Sequence, residues 1–196
     1  MTRPTRAQVQ EQNREVVLDV ARTAFLRDGY VATSLASVAR EAGFTTGIVY
    51  SSFGSKADLA LRVLEQLQAE QIAALGASVS AVSSPDQVLD QVRSWAAAAT
   101  ASGWVRFELE LLLDTISDPR LAAAQTARQN SAVEQASAVV RSMVSTDAVD
   151  DATLDVLAEA AVDYAIGVAV RQVTNREASP DGFLQLIRPL LASFAG

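Results

Sequence analysis

Apolar residues recur along this chain every three or four positions and nowhere sustain an every-second-residue alternation, which is the signature of helices and not of strands. Over residues 8–28, Val17, Leu18, Ala21, Ala24 and Phe25 fall on one helical side, and Gly29 suits the stop. Thr33 or Ser34 can cap a short helix over 34–42 that ends at Gly43, and Thr45 can cap another over 45–52. Ser55 can cap a long one reaching about residue 80, with Leu59, Val63, Leu64 and Leu67 on one side. Beyond it, Ser84-Pro85, Gly103, Asp118-Pro119, the aspartates of 146–151 and Ser179-Pro180 punctuate five more helices. The last should kink or end its regular part at Pro189. The prediction is an all-α fold of about nine helices, with no strand and no internal repeat.

Two of these helices, 34–42 and 45–52, are separated only by Gly43-Phe44, which is helix-turn-helix spacing. Val38, Ala39 and Ala42 can pack the first against Val49 and Phe53 of the second. That leaves Thr45, Thr46, Gly47, Ile48, Tyr50, Ser51 and Ser52 facing outwards. Such a face has little bulk to strike a groove wall, and its hydroxyls can donate to or accept from bases and phosphates.

Charge and composition sharpen this picture. The net charge is −7, which taken alone argues against a polyanion. The first 60 residues, however, hold seven basic and six acidic side chains, and the remaining 136 hold nine and seventeen. A nearly neutral head on an acidic body divides the chain into residues 1–56, with 1–8 flexible, and residues 57–196. There is no cysteine and no histidine, which removes disulfides, thiolate or imidazole metal sites and every His-dependent catalytic arrangement. The expectation is a cytoplasmic protein with no membrane span, no metal and no cofactor, and not an enzyme. An enzyme on a helical bundle is the less favoured class. A homodimeric helical module that uses the helix-turn-helix for protein stays the alternative.

Residues 16–59 resemble the DNA-binding domain of TetR-type (tetracycline-repressor-like) transcription regulators. The resemblance rests on Leu18, Ala21, Phe25, Gly29-Tyr30, Thr33-Ser34, Val38-Ala39, Ala42-Gly43, Gly47, Tyr50, Phe53, Lys56 and Leu59, without a gap. It implies that Thr33, Ser34, Thr45, Thr46, Gly47, Tyr50, Ser51, Ser52 and Lys56 lie at double-stranded DNA. In that reading Tyr50 and Lys56, the only lysine of the chain, sit on phosphates, and Arg3 and Arg6 belong to an arm reaching the backbone or minor groove. The pattern departs from the family at Thr46, where a basic residue is common, and at Ser52, where a histidine is common. The implied function is a ligand-released repressor that binds a palindromic operator as a homodimer, its two recognition helices about 34 Å apart.

The body then has two tasks. Dimerisation falls to the last two long helices through Leu157, Ala161, Ala165, Phe183, Ile187, Leu191 and Phe194, with Val162, Ile166, Val170 and Val173 forming a second apolar face of the same long helix. A small, largely apolar effector would meet Trp95, Trp104, Phe107, Glu108, Leu111, Met143, Tyr164 and Val168, residues that can equally well fill the core. An inward Glu108 would need a partner such as Arg128, Arg141 or Arg171, or a cationic or hydroxylated ligand.

Overall fold

A computed structural model describes residues 5–82, 84–143, 150–175, 177–179 and 181–194; the side chains at 85, 142, 143, 183 and 190–194 lie outside that description. Among the described residues the chain forms nine α-helices and no strand: α1 (Arg6–Ala32), α2 (Leu35–Glu41), α3 (Thr46–Phe53), α4 (Lys56–Ser80), α5 (Pro85–Ala101), α6 (Trp104–Thr115), α7 (Pro119–Met143), α8 (Asp151–Thr174) and α9 (Asp181–Phe194). The all-α expectation holds. The described residues gather into two compact units. One runs to Gln66 and adds Arg106–Gln125; the other comprises Leu67–Val105 and the residues from Thr126 onward.

In the first unit, side-chain caps set where helices start. Thr5 and Gln8 exchange hydrogen bonds at the head of α1, so this helix begins at Arg6, inside the stretch expected to be flexible. Arg3 lies outside the described residues. Ser34 and Ser37 form the same reciprocal cap on α2, and the Ser55 hydroxyl accepts from the Asp58 N–H at the head of α4. Gly43, at φ +77°, closes α2: its N–H reaches the Arg40 carbonyl at 3.2 Å, and the Phe44 N–H reaches Ala39 at 2.8 Å. These two bonds are the paired closure of a Schellman turn, which takes a left-handed residue that glycine supplies without strain. The core of the unit is Val17, Ala21, Phe25, Val38, Ala39, Val49, Leu59, Val63 and Leu64, all buried. Phe107 of α6 stacks on Phe25 at 4.7 Å between ring centroids, and Leu111 and Leu121 are buried in the same unit.

The second unit is built on longer helices. α5 packs on α8 and α9. Ion pairs Arg93–Asp181 (2.8 Å) and Arg188–Asp86 (2.9 Å) join α5 to α9. Thr100 donates to Gln172, whose amide donates on to the Ala178 carbonyl at 2.7 Å. Leu89, Ala99, Leu154, Ala158, Val168, Ala178 and Leu184 are buried. A buried polar pair sits among them: Arg128 donates to the Gln68 side chain at 2.6 Å, and the Gln68 amide returns a bond to the Arg128 carbonyl at 3.2 Å. α9 continues as helix beyond Pro189, so the proline does not end it. The carbonyl deprived of its donor there belongs to Gln185, an exposed residue, and water can serve it.

Candidate nucleic-acid interface

One residue anchors α3. Val49 is completely buried, and the helix turns its remaining face outward. Thr45, Gly47, Ile48, Tyr50 and Ser51 are exposed, with Tyr50 at 55%; Thr46 and Ser52 are half-buried. The far end is fixed from α1: Arg14 donates to the Ser52 carbonyl at 2.5 Å, and its guanidinium lies 4.8 Å from the centre of the Phe53 ring. Phe53, expected in the core, is half-buried under that guanidinium. Thr45 stands at the N-cap position of α3 but makes no side-chain cap bond, so the first amides of α3 keep their donors for an outside acceptor.

The two hydroxyls before α2 separate. Ser34 is exposed and accepts from the Ser37 N–H at 3.0 Å. Thr33 is only 3% exposed, and its hydroxyl donates inward to the Gly29 carbonyl at 2.7 Å. Thr33 therefore leaves the set of phosphate-facing side chains: a hydroxyl spent on an internal carbonyl cannot reach a groove.

Lys56 is half-buried as well. Its ammonium donates to the carbonyls of Tyr30 (2.9 Å) and Thr33 (3.1 Å) and stands 4.0 Å from the centre of the Tyr30 ring. Burial pulls its pKa down, while the carboxylates of Asp114 and Glu110 pull it back up. The Tyr30 hydroxyl donates to Asp114, and burial together with that bond keeps it protonated well above the usual tyrosine range. Sequence reading did not single out Arg40, in the last turn of α2. It is exposed and has no ion-pair partner among the described residues, whereas Arg27 is held by Asp28 at 2.6 Å and Glu41 at 3.7 Å. The available signal was its place three residues before Gly43.

The body residues divide between the two units. Phe107 and Leu111 are buried, and Glu108 half-buried, in the first. In the second, Trp95, Trp104 and Tyr164 are half-buried and Val168 is buried. Both indole N–H groups are buried without a hydrogen-bond partner among the described residues. The Met143 side chain lies outside the described residues. Of the residues expected to pair protomers, Leu157, Ala161, Ala165 and Ile187 are half-buried, and the side chains of Phe183, Leu191 and Phe194 lie outside the described residues. The exposed apolar residues of α8 are instead Val156, Ile166, Val170 and Val173.

Two short helices closed by a glycine turn, the second buried at one valine and otherwise presenting a small hydroxyl-rich face, define a helix-turn-helix protein. Residues 17–63 match the family described as bacterial regulatory proteins, tetR family. The chain is 40% identical over 65 residues to the HTH-type transcriptional regulator AcrR of Shigella flexneri, covering 33% of this chain and 30% of that one. It is 37% identical over 67 residues to the HTH-type transcriptional regulator TtgR of Pseudomonas putida, covering 34% and 31%. These matches thus span about a third of each relative's length. Over the full fold it is similar to the TetR family repressor AlkX from Dietzia sp., with a TM-score of 0.65, 18% identity and coverage of 93% and 97%. The likeness to the tetR family in sequence is thus confined to the helix-turn-helix region, residues 17–63, and over the rest of the chain it is a likeness of fold.

Proposed function

We propose that this protein is a DNA-binding transcription regulator that recognises a palindromic operator as a homodimer and is released from it by a small molecule. The observation that carries the DNA reading is the outward face of α3, where Thr45, Gly47, Tyr50 and Ser51 stand exposed on a helix pinned by the buried Val49. Thr46 and Ser52 flank that face, and Ser34 and Arg40 extend it with a hydroxyl and a guanidinium for phosphates. With no basic or imidazole side chain on α3, the helix reads its site through hydroxyls, methyl groups and shape.

The helical period supports a dimer seam on α8. Ile166, Val170 and Val173 follow one another at i, i+4 and i+7, so they form one stripe, and all three are exposed in the single chain. This shifts the seam from Leu157 and Ala161 to the opposite, exposed side of α8. The unpartnered indole donors of Trp95 and Trp104 favour an effector that combines an apolar body with a hydrogen-bond acceptor, since a buried donor left unpaired costs about 1–3 kcal/mol.

Selection of bound genomic DNA fragments, followed by gel-shift titration on the recovered site, tests the reading. Tyr50→Ala should weaken binding about tenfold, the effect of one lost contact worth ~1.4 kcal/mol. Its thermal midpoint should stay in place, because the side chain is exposed. Undiminished binding by Tyr50→Ala together with Ser51→Ala would remove α3 from the interface. A protein-binding module would instead show affinity that hardly changes with salt, whereas phosphate contacts make it fall steeply.

A further inference from the structure

We infer that Lys56 acts inside the protein, as a positioning residue for the helix-turn-helix, and not as a ligand of the DNA phosphate. The inference rests on the DNA-binding reading and departs from what the family resemblance implies for this residue. An ammonium group has three N–H donors. Two of them are engaged by the Tyr30 and Thr33 carbonyls at 2.9 and 3.1 Å, and the Tyr30 ring face lies 4.0 Å from Nζ. A ring at that distance attracts a cation through its quadrupole. Two donors of the ammonium are thereby held by one turn of chain with a ring face beside them, which leaves at most one for a phosphate oxygen.

The cage is built, not incidental. Both carbonyls lie past the break in α1 at Gly29, whose φ of +85° ends the regular ladder, in the short stretch that leads into α2. A Cβ on Gly29 would run into the Arg106 guanidinium and the Glu110 carboxylate, so α6 lies directly against this break. Glu110 accepts from the Val31 N–H at 2.8 Å, between the two carbonyls that hold Lys56. Asp114, one turn further along α6, accepts from the Tyr30 hydroxyl. That bond fixes the ring and sets a negative charge behind it, which favours the cation over its face. Two carboxylates of α6 therefore complete a cage whose floor is the junction of α1 and α2.

The consequence is positional. Thr33 immediately precedes Ser34, the cap of α2, and Lys56 is the first residue of α4. The ammonium ties the entry of α2 to the start of α4, the two ends between which α3 is held. DNA affinity then depends on Lys56, Tyr30, Asp114 and Glu110 without any of them touching DNA.

One lysine in the chain gives one side-chain ammonium signal in a 15N-lysine-labelled sample. In the free protein at neutral pH this signal should persist, because its protons are bonded to carbonyls. Broadening to the level of a solvent-exposed lysine overturns the cage, and Tyr30→Phe or Asp114→Asn should bring that broadening about. The role is read separately with a fluorescein-labelled duplex from the segment upstream of the protein's own coding sequence, titrated over a series of salt concentrations. Lys56→Ala and the better-packed Lys56→Met should each weaken binding about tenfold, with the slope of log affinity against log salt unchanged. Lys56→Arg should not restore binding, because a planar guanidinium does not fit a cage made for a compact ammonium. A slope reduced by about 0.9 per protomer in Lys56→Ala assigns Lys56 to a phosphate and overturns the inference. Full affinity in Lys56→Ala, or in Lys56→Arg, overturns it as well. If the wild-type protein binds no duplex at low salt, the DNA reading fails and the positioning role with it, while the ammonium signal still reports on the cage.

Discussion

The two units of this protein are specified at different levels of detail. The first holds three glycines at positive φ (Gly29, Gly43 and Gly54), reciprocal caps on α1 and α2, and the serine cap of α4, while the second has one such glycine among its described residues, Gly103, a reciprocal cap on α5 and an aspartate cap on α8. The outward face of α3 is mostly polar. The outward face of α8 carries Val156, Ile166, Val170 and Val173. A surface that must meet a polyanion of fixed geometry depends on backbone angles and on individual donors. A surface that has only to exclude water against another apolar surface depends on pattern and volume, which many sequences satisfy. The comparisons run the same way: sequence relatives at 37–40% identity match over about a third of this chain, whereas similarity over the whole fold survives at 18%.

The strongest way to break this contrast is to make the body decisive for DNA. Ile166→Glu combined with Val170→Glu places two carboxylates in the exposed apolar stripe of α8, where pairing would have to desolvate them. Sedimentation should show a monomer. Operator affinity should fall by about a hundredfold or more, since two half-sites then no longer share one molecule. Each chain should stay folded, because both positions are exposed in the single chain. A variant that stays dimeric moves the seam elsewhere.

Glycine substitutions sharpen the contrast on a smaller scale. Gly29→Ala meets a φ of +85°, worth about 1–2 kcal/mol, and the ends of the Arg106 and Glu110 side chains, which can swing aside at the cost of the bond from Val31 to Glu110, about 0.5–1.5 kcal/mol more. Gly43→Ala has a similar φ of +77° but open space within 4 Å, so only the backbone term remains, about 1–2 kcal/mol. Gly167→Ala, inside α8 with nothing within 4 Å, should gain up to about 1 kcal/mol through helix propensity. Chemical denaturation of the three variants orders them. Equal losses at Gly29 and Gly43 would show that the Arg106 and Glu110 side chains give way without cost.

The parts of the molecule that were legible in sequence are those governed by neighbours in the chain. Ser34, Ser55, Ser84 and Asp150 cap helices because a hydroxyl or carboxylate sits two or three residues before an amide that needs it. The helix-turn-helix was legible because Gly43 and the small residues around it leave few other folds. What was hidden depends on distant partners. Nothing near Thr33 says whether its hydroxyl faces a phosphate or the Gly29 carbonyl; that choice is made by how α1 ends. Lys56 finds its acceptors 23 and 26 residues away. Arg106–Gln125 joins the first unit through Phe107 against Phe25, a pairing of two apolar side chains that no local pattern singles out.

The smallest expected effect tests how this added segment is fastened. Arg120, at the start of α7, forms a two-pronged bond to Asp58 of α4 at 2.5 and 3.2 Å. The arginine is 62% exposed at its side chain and the aspartate 26%, so solvent screens the pair and its contribution is small. Asp58 also accepts from the Ser55 hydroxyl at 2.6 Å. Arg120 first, and Ser55 after it, hold the Asp58 pKa below the ordinary carboxylate value, while burial opposes them. A carboxylate whose pKa is depressed in the folded state adds stability that is complete above its unfolded pKa and is lost as pH falls through the folded one. Asp58→Asn should therefore lower the unfolding free energy at pH 7, and the gap to wild type should close progressively below about pH 4, where the unfolded carboxyl starts to bind its proton. Arg120→Met should reproduce most of the gap at pH 7, because it removes the larger cause. A gap that stays constant from pH 7 to pH 3 would mean that Asp58 contributes through the cap geometry of α4 and not through its charge, and that α7 is fastened to this unit by Leu121 and its apolar neighbours alone.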